Sequence, residues 1–528
     1  MAVFRSSCFF RWRVQKILIT LVQDQLFLLF MHKLFQIRIP RALQLLALIV
    51  IASASFWILS PWKSPFLNSD NAVHILMTYD CQLPDDLYYW GQDRLGSFIP
   101  MLGHFIYVVL NTAPPLAASI ALYVILFSTV LLLSSFFKHI ITRLLLSLVI
   151  FFPIHQVDYM LRLGHPYTAQ FFFIALFLFL LKKFWFGKGW KKYWMLIGSC
   201  MALVLAMWSS DMTIVALIAL LVTGIVVYMN DRKQVVTSLS PFLIQATLAI
   251  VVFASGVAFL VYARSVSRPV AAYDGTWIGS AENIIAGMKK YVKVYLHILI
   301  GWQGVWSAIH HWLLSGIVAL SSVQLFKLIF RGKIPPMVLF FLLNFIGGEC
   351  LLIISKWVAL NNFNGWYQTY PYISLMICLL LLIDHADIGK ARSALTAGMI
   401  LLLLVSAISV TRIYVLKINR DFNERSLSEL KDLRRLGRCG IIGDYWHSYL
   451  PAALNPETIK ATPYEDGRSE RCTDSVMACE KIYLIKDAWL EKFPQEYNAY
   501  GRVVYFSGDS LKLSDWELGL YLRRKKTE

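Results

Sequence analysis

Windows of about 20 apolar residues recur between residues 43 and 416, each long enough to cross about 30 Å of hydrocarbon as a helix. Inside lipid the backbone must satisfy its own hydrogen bonds, so such runs fold as membrane-spanning α-helices. Composition agrees. Of 528 residues, 58% are hydrophobic, 14% aromatic and only 16% charged, which is too apolar for an ordinary soluble protein. The expected fold class is a polytopic α-helical membrane protein with a small C-terminal soluble α/β domain. A formal charge of +18 raises nucleic acid as a partner, but the bases fall in short segments between spans, where they orient a membrane protein. No nucleic-acid partner is expected.

Eleven spans are expected, near 43–60, 116–137, 140–156, 168–181, 193–209, 211–229, 239–262, 309–330, 336–355, 370–384 and 393–416. Lys138 and Arg143, the cluster Lys182, Lys183, Lys188, Lys191 and Lys192, then Arg232, Lys233, Lys327, Arg331, Lys333, Lys390 and Arg392 all fall on one side. The positive-inside rule makes that side the cytoplasm. Segment 1–42 sets seven bases against the single acid Asp24 and is expected to be cytoplasmic. Ile17–Phe30 reads as a surface amphipathic helix, and Met31 offers an alternative start with its own basic flank. Outside loops then comprise 61–115, 154–167, 263–308 and 356–370, and the tail 417–528 is extracytoplasmic. The apolar stretches Phe98–Leu110 and Tyr291–Ala308 are taken as interfacial or re-entrant, because counting either alone as a span inverts the later charge pattern.

The tail is balanced in charge and lacks a long apolar run. Helices are expected at Glu424–Arg435 and Ala488–Tyr497, and strands at Gly440–Gly443, Lys481–Ile485 and Val503–Phe506. No Gly-rich nucleotide loop opens a helix there. Among eight cysteines, Cys472 and Cys479 flank a short polar segment on the oxidising side and are the expected disulfide. The paired-cysteine spacings of zinc sites are absent.

Ionisable groups collect in the outside loops. The first holds Asp70, Asp80, Asp85, Asp86 and Asp93 among aromatics. Asp93 beside Arg94 fits a local ion pair or a substrate contact, and Trp90 fits sugar stacking or an interfacial belt. In the second, a helix would align His155, Asp158 and Arg162 on one face. There Asp158 could orient substrate or bind a metal and Arg162 could grip a phosphate, or the two could simply satisfy each other. His165 before Pro166 fits the start of a span or a ligand. Asp211 must face a cavity or the interface, since lipid exposure at mid-bilayer costs roughly 2.5–3.5 kcal/mol. Arg264, Arg268, Lys289 and Lys290 are an excess of bases on the outer side, suited to a lipid phosphate or to anionic headgroups. Trp366 and Tyr367 sit in an amide-rich loop with the make-up of a carbohydrate contact or of an interfacial belt.

A first span followed by Asn68-Ser69-Asp70-Asn71-Ala72-Val73-His74, and then by Tyr89-Trp90-Gly91-Gln92-Asp93-Arg94-Leu95-Gly96-Ser97, resembles the membrane glycosyltransferases of the GT-C superfamily. The likeness is greatest to the bacterial protein-mannosyltransferase-like branch, glycosyltransferase family 39. Asn71 stands where many members have a second carboxylate, and His165 where many have Asp. The resemblance implies a GT-C-like fold in the bacterial inner membrane, with activity as a hexosyl- or pentosyltransferase. It implies transfer of a sugar from a polyprenyl-phosphate donor to a lipid, glycan or protein acceptor on the outer side. Asp70 would be the catalytic base, with helix capping as its alternative role, and His74 would lie beside it in the substrate site. No cofactor is implied firmly; a divalent cation is left open.

Three other readings remain: a lipid-linked glycan polymerase or ligase, a polytopic transporter or flippase, and a structural or assembly protein that presents the soluble tail, which leaves the acidic first loop unexplained. A transporter is expected to show broken helices at mid-membrane and repeated halves, neither of which the sequence displays.

Overall fold

The computed structural model describes residues 40–230, 239–269, 278–301, 304–361, 363–385, 389–418, 420–421, 423–465, 467–513 and 515–523. The expectations for residues 1–39, including the Met31 start, lie outside these. Among the described residues nine helices are long and apolar enough to cross a membrane: Arg41–Leu59, Pro114–Ser134, Tyr167–Phe186, Lys191–Ser209, Leu243–Val266, Val305–Phe330, Pro336–Ile354, Gly365–His385 and Ala391–Leu416. The remaining two expected spans are the shorter apolar helices Ile140–Phe151 and Thr213–Met229.

Local chemistry sets the helix ends. Pro114 and Pro115 open one helix and Pro336 another, where a missing N–H costs nothing. Asn111, in the left-handed conformation, ends Phe98–Leu110. At 13 residues that helix is roughly 20 Å long. The buried carboxylate of Asp384 accepts from the backbone N–H groups of Lys138 and His139, at 2.7 and 3.0 Å, and from the Thr142 hydroxyl at 2.6 Å. It thereby holds the start of Ile140–Phe151 against the end of Thr369–His385.

The soluble domain is a six-stranded sheet: β1 (Cys439–Gly443), β2 (Ile459–Pro463), β3 (Lys481–Lys486), β4 (Glu496–Ala499), β5 (Arg502–Leu513) and β6 (Trp516–Leu522), in the order β2-β1-β3-β6-β5-β4. β1 is parallel to β2 and β3, and the rest pair antiparallel. The helices Tyr445–Leu454 and Glu470–Met477 make the two parallel crossovers. Ile441 packs with Tyr449 and Leu450, whereas Ile442 packs with Val476 and Met477, so the two helices cover opposite faces.

Three expectations for the tail are corrected. Glu424–Arg435 is not an α-helix: it is a strap of turns whose Arg425 pairs with Leu67 in an isolated bridge, followed by a short 3-10 segment at Lys431–Leu436. Contact with the first loop overrides its local helical preference. Ala488–Tyr497 is a turn leading into β4, because Glu496–Ala499 finds a strand partner in β5. Cys472 and Cys479 are free thiols. Cys472 lies early in Glu470–Met477 and Cys479 just beyond its end, so the helical rise holds them roughly 10 Å apart, beyond disulfide reach.

Candidate active site

The first loop folds into the helix Ser69–Tyr79, started by a reciprocal capping box. The Asn68 side chain accepts from Asn71 N–H at 3.2 Å, and the Asn71 side chain accepts from Asn68 N–H at 3.0 Å. Asp70 therefore stands inside the first turn rather than at the cap, so capping does not explain it. The Asn71 amide also donates to Leu163 O. This places the second outside loop against the first.

Asp70 is half-buried. Its Oδ1 accepts from the Tyr445 hydroxyl, and from the Tyr89 hydroxyl at 3.2 Å. The two phenol oxygens are 3.3 Å apart. Among the described residues, Oδ2 has no hydrogen-bond partner. Tyr445 is the first residue of its helix in the soluble domain, and the Arg468 guanidinium stacks on its ring at 3.8 Å. Burial first, and then the Asp70 carboxylate, push the Tyr445 phenol well above its ordinary value, so it stays a donor. The Ser69 hydroxyl donates to Tyr445 O, a second tie between loop and domain.

His74 is buried, and its Nδ1 accepts from Gly164 N–H at 3.0 Å. Burial lowers its pKa to about 3, which keeps it a neutral acceptor. Gly164 has φ +81°, and a Cβ there would lie 2.7 Å from Asp70 Cβ. Only glycine lets this backbone approach so closely.

Asp158 and Arg162 form the mutual pair that their spacing allowed. Asp158 is fully buried; Arg162 Nε lies 3.0 Å from its Oδ1, and the Tyr414 hydroxyl donates to Oδ2 at 2.9 Å. Burial alone would raise the Asp158 carboxyl, but Arg162 and His155 hold it below its ordinary value. Arg162 also meets Glu424 of the strap at 2.9 Å. This cluster therefore locks the second loop, the last span and the strap together.

The other sequence-derived residues divide into three groups. His165 sits in an aromatic cluster, with ring centroids 4.8 Å from Tyr159 and 6.3 Å from Trp366, and Trp366 packs on Tyr367 at 5.6 Å. Burial lowers the His165 pKa to about 3. The Arg94 guanidinium lies 4.9 Å over the Trp357 ring, and both Arg94 and Asp70 lie within electrostatic reach of Tyr367. Trp90 is buried, and its Nε1 donates to Asp86 at 2.8 Å, so its polar edge is used internally.

The second group is peripheral. Asp211 meets Arg264 at 3.4 Å; burial raises its pKa to about 6 against the pull of Arg264 and Arg94. Asp93 is half-exposed near it and acts on it electrostatically. The exposed Arg268 pairs with Glu470 of the soluble domain. The third group, Lys289 and Lys290, lies on the helix Ala281–Leu299, away from Asp70 in the contact pattern.

The chain matches no family model and no curated protein sequence. It is similar in structure to ArnT from Cupriavidus metallidurans in the apo state, with TM-score 0.56, 7% identity, and coverage of 91% of this chain and 98% of that one. ArnT from the same organism bound to undecaprenyl phosphate matches with TM-score 0.51 and 8% identity, over 90% of this chain and 97% of that one. The chain shares the fold of these two ArnT structures. The archaeal oligosaccharyltransferase AglB from Archaeoglobus fulgidus, in complex with an inhibitory peptide and a dolichol-phosphate, matches more distantly, with TM-score 0.44, 12% identity, and coverage of 84% of this chain and 69% of that one.

Within this fold, Tyr445 and Arg468 are the residues that sequence reasoning missed. They lie in the soluble domain, nearly 400 residues along the chain from Asp70, and no local spacing signals such a meeting. Asn71 spends its amide on the cap and on Leu163, and His74 Nδ1 is taken by Gly164.

Proposed function

We propose that the protein transfers a sugar from a polyprenyl-phosphate carrier to a hydroxyl-bearing lipid, glycan or protein acceptor. The reaction takes place at the membrane face that carries the soluble domain, the outer face of the bacterial inner membrane. The observation that carries this reading is the state of Asp70. Two tyrosine hydroxyls fix one carboxylate oxygen and leave the other without a partner among the described residues, at the start of the helix that follows the first span. The undecaprenyl phosphate bound in one ArnT structure supports the class of carrier.

In this mechanism the acceptor hydroxyl gives its proton to Asp70 Oδ2 as its oxygen bonds to the anomeric carbon. The bond from that carbon to the phosphate oxygen breaks, and its electron pair leaves with the polyprenyl phosphate. The tyrosines orient the base. Arg468, stacked on the Tyr445 ring, and Arg94, within electrostatic reach of Tyr367 as Asp70 is, offset charge on the departing phosphate. Trp366 and Tyr367 offer ring faces to the sugar, while Arg264, Arg268, Lys289 and Lys290 meet anionic headgroups. Asp158 and Arg162 act as positioning residues.

The test incubates purified protein with labelled polyprenyl-phosphate sugars and reads transfer or carrier release. Asp70→Asn should lower turnover by about 100-fold or more while donor binding persists. Near-normal transfer in that variant would remove Asp70 from the mechanism.

A further inference from the structure

A second cluster of ionisable side chains lies in the soluble domain, outside the site above. Asp444 directly follows β1, and Asp487 directly follows the adjacent parallel strand β3. His447, in the first turn of Tyr445–Leu454, stands between them with its side chain 4% exposed. Its Nδ1 is 2.7 Å from Asp444 Oδ1 and 2.8 Å from Asp487 Oδ2. One ligand atom from each of the three lies within 4.8 Å of the others.

Two observations take this beyond a capped helix start. The first is charge. A single imidazole nitrogen, with at most one proton, faces two carboxylates, and among the described residues no lysine or arginine pairs with either of them. A divalent ion would balance what the histidine cannot. The second is topology. From β1 the chain crosses to β2 on one side, then returns past β1 to β3 on the other, over opposite faces of the sheet. The carboxyl ends of β1 and β3 therefore flank the switch point, the crevice where open α/β sheets bind ligands. Backbone donors hold both carboxylates in place: His447 N–H to Asp444 at 2.8 Å and Ala488 N–H to Asp487 at 2.7 Å.

We propose that Asp444, His447 and Asp487 bind a divalent transition-metal ion. One imidazole and two carboxylates suit Zn²⁺ or Mn²⁺ better than Ca²⁺ or Mg²⁺, which prefer all-oxygen sites. Binding requires Nδ1 without its proton, so metal uptake releases that proton when it is present. The ion would also brace the turn that carries Tyr445, the residue between Asp444 and the rest of the helix, whose hydroxyl reaches Asp70. Metal binding itself does not depend on the transferase reading.

The test uses the full chain in detergent, purified without a polyhistidine tag, stripped with chelator and dialysed against Zn²⁺ or Mn²⁺. About one equivalent should be retained, raising the melting temperature with metal concentration. His447→Gln and Asp487→Asn should abolish retention. Asp444→Asn keeps a good helix cap and so tests binding in a folded chain; it should weaken affinity at least about tenfold. Co²⁺ should give visible d–d absorption in the parent that these variants lack. Equal metal content in parent and Asp444→Asn, or a melting temperature indifferent to metal, would overturn the proposal.

Discussion

At the scale of single residues, the Asp70 carboxylate is organised by hydroxyls rather than by charge. Tyr445→Phe removes the donor from the soluble domain but keeps the ring beneath Arg468. A hydrogen bond to a charged group is worth about 1.5–3 kcal/mol, so turnover should fall roughly 10- to 100-fold with KM for the donor little changed. Steady-state kinetics check this, and an unaltered kcat would show the contact to be idle. His74 gives a pH prediction. Its folded pKa of about 3 lies below the ordinary 6.5, so the stability it contributes is fully present above pH 6.5 and is lost as pH falls below that. At pH 5 the loss is about 2 kcal/mol. Asp211, raised to about 6, acts in the opposite sense over pH 4–6, so the comparison that isolates His74 is between variants. The melting temperature of His74→Gln should fall less between pH 7.5 and pH 5 than that of the parent; parallel curves would refute the assignment.

At the scale of elements, the site depends on segments pressed together more closely than most side chains allow. Gly164→Ala would set a Cβ 2.7 Å from Asp70 at a residue with φ +81°. It should cost at least about 1 kcal/mol and disturb Asp70 directly. Thermal unfolding and turnover should both fall, and a variant with parental values of both would show that the loop gives way. Arg471 of Glu470–Met477 holds the buried Asp86 of the first loop at 2.6 Å. Arg471→Met leaves that carboxylate without its cation, at a cost of about 2 kcal/mol once the partial exposure of Arg471 is allowed for. Limited proteolysis should then release the soluble domain sooner; an unchanged cleavage rate would mean that other contacts hold it.

At the scale of the molecule, the soluble domain and the first loop share one face of the bundle, since Tyr445 meets Asp70 and Arg471 meets Asp86. A reporter after residue 420 and a label at exposed Leu83 should read the same compartment, and a reporter after residue 235 the opposite one. Any other pattern would break the charge-based topology.

The recurrence of apolar windows alone determined the helical membrane class and where its apolar helices lie along the chain, because lipid leaves the backbone so few solutions. Asp70 was also legible, as an acid just beyond the first span. The pairing of Asp158 with Arg162 was legible only as one of two outcomes, and burial of both decided it. Tertiary structure alone decided what surrounds Asp70, turned Glu424–Arg435 from a helix into a strap, and kept Cys472 from Cys479. Each of these rests on contacts between residues remote in sequence, or on distances along an element whose extent local preference did not reveal. A span answers to the solvent around it, which a sequence can encode locally; a site answers to its neighbours, and only the folded chain supplies them.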